Sequence, residues 1–212
     1  MENEATETFD ARMVSRMLFF SDAVFAIVLT LLVLELRPPV VEGDAALADA
    51  LIGLTPKFVA FVSSFALVSV FWSAHTAMTR RLSAFDWPMA WFNLLFLFTI
   101  AIMPFVSALI GEHGTFGLAW RVYCAALVAA SLAQTALFVT MTRDGGRIVG
   151  GITVRQKAWR VLRSLSPGIA FGVGLALNNA GYVGLSAVCW LLIPVVMLIA
   201  QALLGERRMR TR

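Results

Sequence analysis

Apolar positions in this chain gather into long runs, not into alternating or narrowly striped patterns. Six of them stand out, at about 17–36, 58–78, 88–110, 118–141, 161–178 and 183–204. Runs of roughly 17–25 apolar residues suffice, at ~1.5 Å of rise per residue, to cross ~30 Å of hydrocarbon. The pattern predicts an all-α polytopic membrane protein, one domain over 1–212, with six transmembrane helices. The fifth run is diluted by Pro167, Gly168, Gly172 and Gly174 and closed by Asn178-Asn179, which predicts a tight hairpin into the sixth around Gly181. Between the first two runs, 37–57 opens with Pro38-Pro39 and carries Leu47, Leu51 and Ile52 near helical spacing, predicting a short interfacial helix. The 143–160 segment is a basic loop with an amphipathic stretch leading to Trp159.

Composition agrees with the pattern. The 212 residues are 59% hydrophobic and 14% charged, with a mean hydropathy of +0.82. With six spans the termini share a side, and that side holds Arg12, Arg16, Arg80, Arg81 and the basic residues of 143–163 and 207–212; Arg37, Lys57 and Arg121 fall on the other. The positive-inside rule then places both termini in the cytoplasm. The pI of 9.7 is explained by loop charge facing anionic headgroups, and no nucleic-acid-binding module is present. Glu2, Glu4, Glu7 and Asp10 precede the first run without a basic start or a small-residue cleavage site, so that run is expected to be an anchor and not a removed signal. Trp87, Trp91, Trp120 and Trp159 lie near span ends, where interfacial anchors belong.

Chemistry within the spans is sparse. Cys124 and Cys189 lack metal-ligand spacing and read as small apolar residues; two histidines, no His-Glu-x-x-His and no Gly-x-Ser-x-Gly leave an enzyme unsupported. Gly168-xxx-Gly172 and Gly174 form a small-residue face suited to close helix packing. Asp22 is the exception, an acid inside the first run, where a charged side chain costs at least ~2.5 kcal/mol and needs a partner. At the helical rise it lies roughly 8 Å inside the basic face; His75 lies about 5 Å, Trp72 about 9 Å and Asn93 about 8 Å inside on the next two helices. Ser21, Asp22, Trp72, His75 and Asn93 are therefore expected at one depth, with Arg16 just below. Such a network serves either as an interhelical brace or as a proton relay in which His75 titrates. Ile27, Thr30, Leu31 and Leu34 share one stripe of the first helix, and Asp22, about 140° from Ile27, is expected to point into the protein body. By itself that stripe reads as packing.

The segment Arg16-xxx-Phe20-Ser21-Asp22-Ala-Val-Phe25-Ala-Ile27-x-x-Thr30-Leu31-Leu32-Val-Leu34-Glu35 resembles the first-helix motif of the transmembrane protein 175 family, potassium-permeable channels of bacteria and lysosomes. Phe71-Trp72-Ser-Ala-His75 and the stretch from Asn93 to Pro104-Phe105 resemble its second and third helices, and Ala23 replaces a glycine common in the family. The resemblance implies a homotetramer in the bacterial plasma (inner) membrane with helix one lining a central pore. It implies apolar constriction rings at Ile27, Leu31 and Leu34, a hydroxyl ring at Thr30, and K+ as the permeant ion, with no cofactor and no resident metal. Such a pore gates by dewetting and has no carbonyl-lined filter; Gly181-Tyr-Val-Gly184 is a turn. Glu35 either forms an acidic ring at the outer mouth or pairs with Arg37. The rival function is a secondary ion or small-molecule transporter, hinted at by Pro104 and Pro194 late in the third and sixth runs.

Overall fold

The computed structural model describes residues 2–143, 151 and 153–204, with side chains from residue 9 to 199 within those limits. All regular structure among them is helical: α1 (Glu2–Leu31), α2 (Asp44–Gly53), α3 (Thr55–Thr79), α4 (Trp87–Ala101), α5 (Met103–His113), α6 (Gly117–Met141), α7 (Val154–Asn179), α8 (Val183–Ser186) and α9 (Leu192–Leu204). Short 3-10 segments cover Leu32–Glu35 and Cys189–Leu191.

Proline sets several of the boundaries. Pro56 and Pro88 sit in the first turns of α3 and α4, where the missing N–H would have had no intrahelical partner. Pro104 does the same for α5, so the expected 88–110 span is a helix interrupted at Ile102 instead of a continuous one. α7 starts at Val154, earlier than expected, because Thr153 and Gln156 form a reciprocal capping box: Gln156 N–H donates to Thr153 Oγ1 at 3.2 Å and Thr153 N–H to Gln156 Oε1 at 3.2 Å. The amphipathic stretch before Trp159 is thus the first turn of the fifth span. Inside that helix Pro167 cannot donate to the Arg163 carbonyl, and the Ser166 hydroxyl donates there instead at 2.8 Å. The hairpin after α7 forms as expected, with Gly181 at φ 91° closing the helix through Tyr182 N–H to Leu177 O at 2.9 Å. The short helix expected within 37–57 is α2.

Among the described residues, five spans are long and apolar enough to cross a membrane: Phe9–Glu35, Thr55–Thr79, Trp87–His113, Gly117–Met141 and Val154–Asn179. The continuous 183–204 helix expected from hydropathy does not form; α8, a 3-10 turn and α9 divide it, leaving a shorter apolar stretch over Cys189–Ile199. α6 is the central helix. Half of its most apolar window is buried, against 22% for the first span, so α1 is packed at the edge of the chain. Around α6 the core is aromatic and aliphatic, with Phe71, Phe96, Leu127, Leu137 and Phe171 all almost fully buried. Polar side chains tie it together: Ser64 Oγ meets Tyr123 OH at 3.0 Å, Gln134 Nε2 donates to Phe71 O at 3.0 Å, and Ser131 Oγ donates to Ser164 O at 2.8 Å. In a membrane, where lipid is as apolar as leucine, such bonds and close packing carry helix association.

The small-residue face of α7 is only partly used. A Cβ on Gly168 would stand 2.7 Å from Ser131 Oγ and 2.9 Å from its Cβ, while one on Gly172 would meet nothing among the described residues within 4 Å. Ser131 cannot turn away without losing its bond to Ser164 O. Gly168→Ala is therefore expected to destabilise by about 1–3 kcal/mol, overpacking outweighing the helix-propensity gain of up to ~1 kcal/mol, whereas Gly172→Ala keeps the gain. Thermal unfolding of the two purified variants checks this: the midpoint falls for the first and holds or rises for the second.

Candidate functional site

α1 has two faces. Ser21, Phe25, Val28 and Leu32, spaced four, three and four apart, are all 3% exposed or less and pack against α3, α4 and α5. Phe25 lies 5.9 Å from both the His75 ring and the Phe96 ring, and His75 stacks on Phe96 at 5.7 Å. At about 100° per residue, Ile27, Thr30 and Leu34 fall nearly opposite this stripe. They are exposed on the single chain, Ile27 by 57% and Leu34 by 64%, with Leu31 at 41%. The 3-10 segment from Leu32 to Glu35 alters the expected spacing at the top of the stripe: at three residues per turn, Leu34 stacks over Leu31. The Thr30 hydroxyl donates to its own helix, to Ile27 O at 2.8 Å and Ala26 O at 3.1 Å, so its oxygen keeps acceptor capacity toward the open side.

On the packed side a chain of hydrogen bonds crosses three helices. Ser21 Oγ donates to Met17 O at 2.8 Å and accepts from Asn93 Nδ2 at 2.9 Å. Asn93 Oδ1 is 2.9 Å from His75 Nε2. Ser21, His75 and Asn93 are each 1% exposed or less. The shared depth expected for these three residues is what brings them together.

Asp22 departs from the expectation. It does not point into the body but is exposed, at the margin of the packed face, where its carboxylate accepts a hydrogen bond from Trp72 Nε1 at 3.0 Å. The reason is rotational: Ser21 sits on the buried stripe, and the next residue is turned about 100° from it. A carboxylate at that edge keeps one charge-assisted bond and avoids full desolvation. Arg16 is exposed, and no hydrogen bond or ion pair joins it to the network among the described residues. At the other end of the span, Glu35 is half-buried and forms no ion pair with Arg37 among the described residues; the ion pair found there is Lys57 to Glu112, at 3.0 Å, joining α3 to α5.

Two features went unread in the sequence. Gln134, an amide in mid-span on α6, is buried and holds the α3 backbone; its polar side chain at membrane depth was the available signal. Trp159, near the start of α7, has its indole N–H buried without a partner among the described residues, and its ring lies 5.5 Å from the Arg163 guanidinium.

Comparison with known proteins places this arrangement. The family model described as "Endosomal/lysosomal potassium channel TMEM175" matches residues 16–104, which run from the start of the α1 motif to Pro104. A potassium channel of Streptomyces collinus is 34% identical over 76% of this chain and 81% of its own length. A potassium channel of Chryseobacterium is 27% identical over 82% of this chain and 90% of its own. The crystal structure of a lysosomal potassium-selective channel TMEM175 homolog from Chamaesiphon minutus superposes with a TM-score of 0.72 at 28% identity, covering 89% of this chain and 98% of that one.

Proposed function

The chain belongs to the TMEM175 family, and from that membership we propose that it is a potassium-permeable cation channel of the bacterial plasma membrane, passive and with K+ preferred over Na+. It assembles as a homotetramer of six-span subunits, the sixth span being the broken α8–α9 segment, with both termini cytoplasmic. Four copies of α1 surround the axis, with Ile27, Leu31 and Leu34 as apolar rings and Thr30 between them as a ring of hydroxyl oxygens. The observation that carries this reading is the exposed stripe of α1, directed away from its own subunit along the helix that bears the family motif. Rings of Ile and Leu exclude water when narrow and pass partly hydrated ions when wide, so selectivity over Na+ is modest. Glu35, free of Arg37, stands at the outer mouth as an acidic ring that concentrates cations. On the opposite face Ser21, Asn93 and His75 act as a brace that fixes the rotation of α1, with Asp22 and Trp72 as a second tie at its edge.

A brace is favoured over a proton relay by the chemistry of its middle member. The Ser21 hydroxyl proton is committed to Met17 O, so Ser21 accepts from the Asn93 amide, Asn93 Oδ1 accepts from His75, and a carboxamide is no proton carrier.

Potassium and sodium gradients across liposomes holding the purified protein test the reading. K+ flux above Na+ flux, with unitary current steps, is the expected result. A specific observation favours a second reading, a secondary transporter: the third and sixth runs are both broken, at Ile102 and over 187–191. A transporter gives no unitary steps, and a folded oligomer with no electrogenic flux would overturn the channel.

A further inference from the structure

A cavity of about 210 Å³ opens between α3, α6 and α7 at the end of the bundle where the basic loops lie. It stands apart from the exposed face of α1, and its polar wall is Gln134, Trp159, Arg160, Arg163 and Ser164. Ala77, Met78 and Phe138 supply an apolar wall beside it. Among the described residues no acid lines the cavity. Both arginines are half-buried, and among the described residues neither guanidinium has a carboxylate partner; Arg163 instead lies over the Trp159 ring.

Gln134 Nε2 is spent on Phe71 O, but other donors of this wall are not engaged among the described residues. Trp159 Nε1 is the buried side-chain polar atom left without a partner among the described residues, a condition native structures rarely tolerate without an occupant. Ser164 Oγ lies 2.9 Å from Thr135 Oγ1, whose proton also reaches Ser131 O at 2.8 Å, so the two hydroxyls share one local network beside the cavity. Two guanidinium groups and an indole N–H in one cavity form a set of donors with a double positive charge, suited to anionic oxygens. Helix-bounded basic pockets on the positive side of a membrane protein are headgroup sites by the same logic.

We propose that this cavity binds the phosphate headgroup of an anionic phospholipid. The charged wall takes the phosphate oxygens, and the apolar wall lies along the glycerol and first acyl carbons. Arg160 and Arg163 supply the charge, Trp159 the directed N–H. A lipid held there bridges α3 to α7 on the far side of α3 from the α1 brace.

The test titrates full-length protein, purified in detergent, with dioctanoyl phosphatidylglycerol, dioctanoyl phosphatidylcholine and inorganic phosphate in parallel. Bound lipid is counted by native mass spectrometry. Wild type is expected to prefer phosphatidylglycerol over phosphatidylcholine by about tenfold or more. Arg160→Gln with Arg163→Gln should weaken phosphatidylglycerol about 30-fold, the loss expected of two cation contacts at a headgroup. Trp159→Phe should weaken it about fivefold. Ala77→Trp fills the cavity while leaving every charge in place and should abolish the preference; it carries the test if the double variant does not fold. Undiminished phosphatidylglycerol binding in Ala77→Trp, or no preference in wild type, overturns the proposal. Inorganic phosphate binding as tightly as phosphatidylglycerol overturns the lipid as the source and makes the cavity a site for soluble phosphate.

Discussion

Replacing Ile27 with Asn is expected to raise basal K+ flux through the reconstituted protein by about tenfold or more, the change that follows from lowering a barrier by ~1.4 kcal/mol. In the proposed tetramer one substitution alters four side chains of a single ring. If each amide offers water a hydrogen bond worth about 0.5 kcal/mol within the constriction, the four together offset some 2 kcal/mol of dewetting. Ile27 suits this test because its side chain is 57% exposed on the single chain and has no core role, so folding should survive the change. The control is Val28→Asn, one residue away on the buried stripe, which should damage stability instead of permeation. Flux in liposomes matched for folded tetramer is the measurement. Unchanged flux in Ile27→Asn would remove α1 from the pore wall.

The contrast between Ile27 and Val28 shows what the sequence could and could not tell. Periodicity places Ile27, Thr30 and Leu34 on one stripe, but in a helix that is apolar all round it does not say which stripe meets the protein. Ser21 and Asp22 illustrate the same limit. Depth along the helix is a matter of counting, and counting brought Ser21, His75 and Asn93 to one level correctly. Rotation is set by packing against α3 and α4, and there the expectation for Asp22 failed by the angle between neighbouring residues. Long runs were legible as spans because bilayer thickness dictates their length. The break at Ile102 was not: Pro104 was visible, but a proline inside an apolar run permits a kink, a new first turn or a span end, and packing chooses. The division of 183–204 has no proline at the break itself, and hydropathy is blind to it. The cavity at Arg160 and Arg163 joins residues of α3, α6 and α7 that share no motif, so nothing short of the packed bundle could assemble it.

Removing the centre of the brace should have the largest effect on stability. Asn93→Ala takes away the bond to Ser21 and the bond to His75, about 0.6–1 kcal/mol each at membrane depth. It also leaves His75 Nε2–H buried without an acceptor, a further ~1–3 kcal/mol. The expected total is about 2–5 kcal/mol, a large share of the ~5–15 kcal/mol that holds a typical domain together. Ser21→Ala should cost less, because only the Asn93 amide loses a partner and Met17 O remains in its helix. The two changes should not add. Once Asn93 is gone, deleting the Ser21 hydroxyl orphans nothing, so the double variant is expected to be more stable than the sum by ~1 kcal/mol or more. Unfolding of the purified protein in a denaturing detergent measures all three variants. A single Asn93→Ala loss below about 0.5 kcal/mol, within the range of an ordinary surface substitution, would mean that α1 is held chiefly by Phe25 and its aromatic neighbours, with the Asp22–Trp72 bond beside them. The aromatic cage would then set the rotation of the helix, and the hydrogen-bonded chain would be incidental to where the Ile27 stripe points.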